Sequence, residues 1–253
     1  MASREERSVL RTLSAQAGKA LEILCASEQD ELAITPALGR ALAANPIHFV
    51  VFACLGTKTG TEEIVLDFNA TIFMKKFRKQ AKRLMGLFAA ESTPTKLTII
   101  LPDLEPVRTW GWSPCQQEEV TAACELMADA AETTLPREWR VLPWSVVEDR
   151  YDCPDHRNAL LTWAEHSAPE LILRDEREFF KRFPHLHPDI RVYGTPNELA
   201  RKQIAAYAYE GCVLERLYPD VVLLQTDTPV ARKDAMFNLR RDEPLAIAHP
   251  FRQ

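Results

Sequence analysis

The chain has 253 residues, 46% hydrophobic and 26% charged, a balance that excludes disordered and fibrous proteins and matches an ordinary globular one. Its 31 Lys and Arg against 36 Asp and Glu leave a net charge of -5, which argues against a surface that coats nucleic acid everywhere but leaves room for a local basic patch. No apolar run reaches the roughly 18 residues of a membrane span, the start Ser3-Arg4-Glu5-Glu6-Arg7 is too charged for a secretory signal, and the six cysteines lack CxxC spacing. A cytoplasmic protein with free thiols and no membrane partner is therefore expected.

At roughly 100 to 200 residues per domain, one domain over 1–253 is expected. Residues 1–45 read as a helical N-terminal extension rich in Ala, Leu and Glu. Ile47–Leu55 is a continuous apolar run with β-branched and aromatic residues that stops at Gly56, the pattern of a strand buried on both faces. Lys96–Leu101, closed by Pro102-Asp103, repeats it, as do Trp139–Leu142, Ile190–Tyr193 and Val221–Leu224. Helices are predicted over 68–90, 116–134, 156–183 and 196–217. Buried strands alternating with helices of this length imply parallel pairing through crossovers, hence an α/β, Rossmann-like three-layer fold with a mostly parallel central sheet.

In such sheets ligands bind beyond the carboxyl ends of the strands, which directs attention to the loops after Leu55, Leu101 and Leu224. The first loop holds Gly56, Thr57, Lys58, Thr59 and Gly60, but Thr61 follows where a phosphate-binding P-loop needs Lys, and GxGxxG is absent. Cys54, two residues before Gly56, is by position first a small buried hydrophobe, and alternatively a nucleophile whose thiolate a helix N-terminus or Lys58 would favour. The helix over 68–90 sets Phe73, Phe77, Leu84 and Phe88 on one face and Lys75, Lys76, Arg78, Lys79, Lys82 and Arg83 elsewhere, with no acid between Asp67 and Glu91. That isolates a cationic face suited to a phosphate backbone. Thr195-Pro196-Asn197-Glu198 is a capping box with proline at the first helical position, and Ala200, Ile204, Tyr207, Gly211 and Leu214 form the expected packing seam of the helix it opens. Glu210 stands beside that seam, directed into the crevice or into water, in a tract, Tyr207-Ala208-Tyr209-Glu210-Gly211, that gathers two phenols and a carboxylate. The histidines form no HExxH or other metal spacing, and no GxSxG nucleophile elbow occurs. No metal is expected.

The order and spacing of these pieces over about residues 46–237 resemble the tRNA-dependent cyclodipeptide synthases, whose catalytic domain is similar to that of class I aminoacyl-tRNA synthetases. Those enzymes open their core with H-x-x-x-G-x-S-x-G-N, and here His48-Phe49-Val50-Val51-Phe52-Ala53-Cys54-Leu55-Gly56-Thr57 places Cys54 where the acyl-accepting serine stands. Their later helix carries Y-x-x-x-E and their next strand ends near D-T-P, matched here by Tyr207, Glu210 and Asp227-Thr228-Pro229. The departures are Ala206 at the strict tyrosine position, Leu224 for a second tyrosine and Thr57 for the asparagine, and they look like the divergent eukaryotic branch that makes arginine-containing products. The resemblance implies an aminoacyltransferase that takes aminoacyl-tRNAs as partners and needs no cofactor. It also implies that Cys54, or else Thr57 or Thr59, accepts the first aminoacyl group, that Glu210 holds an ammonium, and that Tyr207 or Tyr209 relays a proton. Gly56 and Asp227 would border the substrate, the 75–83 face would hold tRNA, and Asp67, Asp103 and Glu105 are candidates for pairing a guanidinium.

Overall fold

The computed structural model describes residues 40–41, 44, 46–52, 94–104, 114–151, 158–160, 162–163, 195–218, 220–224 and 246–248. Within them the elements run β1 (Ile47–Phe52), β2 (Thr95–Leu101), α1 (Pro114–Thr134), β3 (Trp139–Pro143), α2 (Trp144–Asp149), α3 (Pro196–Leu217), β4 (Val222–Leu224) and β5 (Ala246–Ala248). The strands form one sheet in the order β3-β2-β1-β4-β5, and every pairing is parallel. This is a Rossmann-like α/β fold. β1 is central: the chain steps outward through β2 and β3 on one side, then returns to place β4 and β5 on the other, so the strand order reverses at β1.

The apolar runs become strands because the middle of a parallel sheet offers no wet face. Phe49, Val50 and Val51 of β1 and Leu97, Ile99, Ile100 and Leu101 of β2 are all buried. β3 lies at an edge of the sheet among the described residues, and its last residue is Pro143, where a missing N–H does not break the ladder. The expected strand bounds hold to within a residue for β2, β3 and β4, whereas β1 is described only as far as Phe52. The expected strand 190–193, the helix over 68–90 and most of 156–183 lie outside the described residues.

α3 starts as its sequence dictates. Glu198 N–H donates to Thr195 Oγ1 (3.3 Å), and Thr195 N–H donates to Glu198 Oε2 (2.6 Å), closing the capping box. The helix runs antiparallel to β1. Tyr218, just past its end, meets the His48 ring edge to face at 4.8 Å near the start of β1. Tyr209 is separated from Phe52, at the end of β1, only by Trp144, with ring centroids at 6.5 and 5.5 Å. Nine helical residues rise about 13.5 Å and four strand residues about 13 Å, so the two contacts fit one rigid pairing of helix and strand. Asp220, with φ of 59°, makes the short turn into β4; aspartate is among the few residues that tolerate this left-handed region.

Candidate active site

The turn of α3 around residues 207–210 lies level with the carboxyl ends of β1 and β3, the edge of a parallel sheet where ligands bind. Residues two apart on a helix point about 200° apart, so Tyr207 and Tyr209 leave α3 on nearly opposite sides. Tyr209 is 1% exposed and packs edge to face against Trp144 and Tyr151, the latter at 5.9 Å. Arg216 closes over the Tyr151 ring at 5.4 Å. Tyr207 is only partly buried.

Glu210 shares the Tyr207 side, one turn on, and is 5% exposed. The seam expected at Ala200, Ile204, Tyr207, Gly211 and Leu214 is real but too narrow. Gln203, Ala205, Ala208, Tyr209, Glu210 and Val213 are buried as well, so α3 is enclosed on most of its circumference and carries its carboxylate inside. Gln203, which sequence reading passed over, is 7% exposed and donates from Nε2 to the Tyr207 hydroxyl at 3.4 Å. Residues 203, 207 and 210 thus form a polar stripe at i, i+4 and i+7. The signal that points to it is an amide placed four residues before a tyrosine and seven before a glutamate.

Asp103, two residues past β2, is completely buried. Its Oδ1 accepts from Ser145 N–H at 3.0 Å and caps α2, whose own N-cap position, Pro143, makes no side-chain bond. Its backbone carbonyl accepts from Gln117 Nε2 at 2.7 Å, and the same nitrogen reaches Thr121 Oγ1 at 2.9 Å. Asp103 Oδ2 and Gln117 Oε1 are buried with no hydrogen-bond partner among the described residues. Of the cysteines, Cys124 sits in the core, where burial first, then Asp103 and Glu125, push its thiol up to about 12, which removes it as a nucleophile. His48 forms a 2.8 Å hydrogen bond between Nε2 and Thr98 Oγ1, and burial, then Lys96 and Arg140, lower it to about 4. It is a neutral imidazole at physiological pH.

The structure therefore brings Glu210, Tyr207 and Tyr209 to the level of the strand ends and sets Asp103 beneath α1 and α2. Cys54, Gly56, Thr57, Thr59, Asp67, Glu105, Asp227 and the basic residues Lys75, Lys76, Arg78, Lys79, Lys82 and Arg83 lie outside the described residues. Among the described residues no group of three or more His, Cys, Asp or Glu converges as metal ligands, and no helix is long and apolar enough to cross a membrane.

No family model matches the chain, and no curated protein does. Among solved structures the chain is similar to the PvcA protein of Pseudomonas aeruginosa, with a TM-score of 0.50 over 86% of this chain and 81% of that one, at 16% identity. At that identity the likeness bears on the fold alone, and it agrees with an α/β, Rossmann-like architecture.

Proposed function

We propose that this chain is an aminoacyltransferase of the cyclodipeptide synthase type, which joins the aminoacyl groups of two aminoacyl-tRNAs through two peptide bonds, with arginine a candidate for one of the two groups. The observation that carries this reading is the buried carboxylate of Glu210 beside Tyr207 at the carboxyl ends of parallel strands. Out of water, a carboxylate attracts an ammonium several times more strongly than it does at a surface, so Glu210 suits an α-amino group. The ester of an aminoacyl-tRNA is already activated, which agrees with the lack of a P-loop in the sequence.

In this reading the Cys54 thiolate attacks the ester carbonyl; the bond to the ribose oxygen breaks, a thioester forms, and the tRNA hydroxyl leaves with a proton. The amine of a second aminoacyl-tRNA, its proton passed to Glu210, attacks the thioester and returns the thiolate. The α-amine of the first residue, the N-terminus of the resulting dipeptidyl-tRNA, then attacks the remaining ester; the bond to the second ribose oxygen breaks, that tRNA leaves as its hydroxyl with the amine's proton, and the ring closes. Thr57 or Thr59 takes the acyl group if Cys54 does not. Tyr207, which shares the side of Glu210, is the better placed of the two phenols to relay the proton, because Tyr209 is packed among aromatic rings. Gly56 and Asp227 border the substrate, Asp67, Asp103 and Glu105 are the acids available to a guanidinium, and the face from Lys75 to Arg83 holds the tRNA backbone. Since charged tRNA is cytosolic, so is the protein.

A second reading draws on the strand order, which reverses beside β1 as in dinucleotide-binding sheets: a nucleotide-dependent transferase using the Gly56–Thr61 loop. Binding of ATP, NAD or S-adenosylmethionine without cyclic dipeptide formation would favour it.

The deciding experiment mixes wild type, Glu210→Gln and Cys54→Ala with aminoacyl-tRNA and follows both the cyclic product and the intact protein mass. Wild type makes product. Glu210→Gln loses about a hundredfold or more in rate and accumulates one aminoacyl group on the protein, because loading outlasts transfer. Cys54→Ala takes up none. Wild-type turnover by Glu210→Gln would remove the residue from the mechanism.

A further inference from the structure

The buried stripe on α3 contains a group that the reaction above does not use. Gln203 is 93% removed from solvent, in a helix whose other buried positions are mostly Ala, Ile, Val and Leu. A buried amide is costly where an apolar side chain of similar size would pack freely, unless its hydrogen bonds are met. Its Nε2 is directed at the Tyr207 hydroxyl, 3.4 Å away. A phenol has one proton and two lone pairs. When an amide N–H occupies a lone pair, the phenol proton turns elsewhere, and negative charge on that oxygen is favoured.

We propose that Gln203 is a positioning residue that fixes Tyr207 as a hydrogen-bond donor on the Glu210 side of α3 and makes its phenol more acidic than an ordinary tyrosine. The orientation follows from the amide alone. What Tyr207 then does with its proton rests on the function proposed above. Because Glu210 lies one turn further along the same stripe, a donor phenol adds an O–H beside the carboxylate, and an acceptor phenol would add a second electron-rich oxygen there.

The test is a spectrophotometric titration of tyrosinate in wild type and Gln203→Leu, with Tyr207→Phe identifying the Tyr207 contribution among the five tyrosines. Gln203→Leu raises the Tyr207 midpoint by about one pH unit, a tenfold change in acidity, and Gln203→Glu raises it further because a carboxylate beside the phenol opposes ionisation. Gln203→Asn, whose amide is one methylene shorter, reproduces the Leu shift and serves if the Leu variant fails to fold. In the cyclic-dipeptide assay Gln203→Leu lowers kcat about tenfold with KM nearly unchanged. A downward shift in Gln203→Leu would mean that the phenol donates to the amide oxygen, and an unmoved midpoint would mean that the two groups are not coupled; either overturns the proposal. A shifted midpoint in a protein that makes no cyclic dipeptide would instead uphold the coupling and overturn the function.

Discussion

Tyr207 and Tyr209 are two residues apart, yet their sides of α3 are built from different chemistry. The Tyr209 side meets Trp144 and Tyr151, with Arg216 stacked over the latter. The Tyr207 side carries Gln203 and Glu210. Tyr207 is less buried than Tyr209, but Gln203 and Glu210 on its side are as enclosed as the aromatic cluster, so burial alone does not separate packing from chemistry; the kind of group that is buried does. Aromatic area leaves water with a gain of about 25 cal/mol per Å², whereas an amide and a carboxylate lose their hydration and are kept only where hydrogen bonds or a bound cation offset the loss.

Replacing the two phenols in turn puts that contrast at risk. Tyr209→Ala removes the ring that joins Trp144 to Tyr151 and is expected to destabilise by about 3–5 kcal/mol, the range for deleting a buried aromatic ring. Tyr207→Phe keeps the ring and drops one hydroxyl, for about 1 kcal/mol or less, while product formation falls. Urea denaturation of both variants measures the difference, and equal losses of stability would erase the distinction between the two sides. Tyr209→Phe, which retains the packing, should stay close to wild type in activity.

His48 sharpens the comparison, because it is a half-buried polar group remote from the Tyr207 stripe that, among the described residues, bonds Thr98 and meets the Tyr218 ring. It is held to about 4 by burial and by the positive charges of Lys96 and Arg140. The unfolded chain takes up that proton near 6.5, so between these values the unfolded state binds more protons and stability falls as the pH falls. The slope is at most about 1.4 kcal/mol per pH unit, or about 2 kcal/mol between pH 6.5 and 5. Denaturation midpoints followed through this window should flatten in His48→Gln. If they do not, other groups set the acid sensitivity.

How much of this was legible depended on whether the determinants were local. The start of α3 could be read from sequence because its capping box and proline are contiguous, and β2, β3 and β4 because an unbroken apolar run needs no context. α2 was not foreseen, since its six residues have no cap of their own and borrow one from a residue 42 positions earlier. β5 was not foreseen either: Ala246-Ile247-Ala248 has little strand propensity and becomes a strand by pairing with β4. At the site, helical spacing found the seam but not the enclosure that buries Glu210 and Gln203, which depends on what packs around the helix. Asp103 was legible as an acid at a strand end, but its capping bond was not.

Asp103 is the least expensive place to ask whether a buried acid at a strand end belongs with packing or with chemistry. Its two oxygens differ: Oδ1 holds Ser145 N–H, while Oδ2 has no hydrogen-bond partner among the described residues. Asp103→Ala removes the cap of α2, whose first residue is the Trp144 that Tyr209 packs against, for an expected loss of about 1 kcal/mol. Asp103→Asn keeps an oxygen for Ser145 and deletes only the charge, so its stability should lie within about 0.5 kcal/mol of wild type. Thermal melts of the pair isolate the cap from the charge. With the fold intact in Asp103→Asn, unchanged product would assign the residue to the packing of α2 alone. Selective loss of an arginine-containing product, with other products retained, would place its charge against a guanidinium, where a bidentate carboxylate contact is lost when one oxygen becomes an amide.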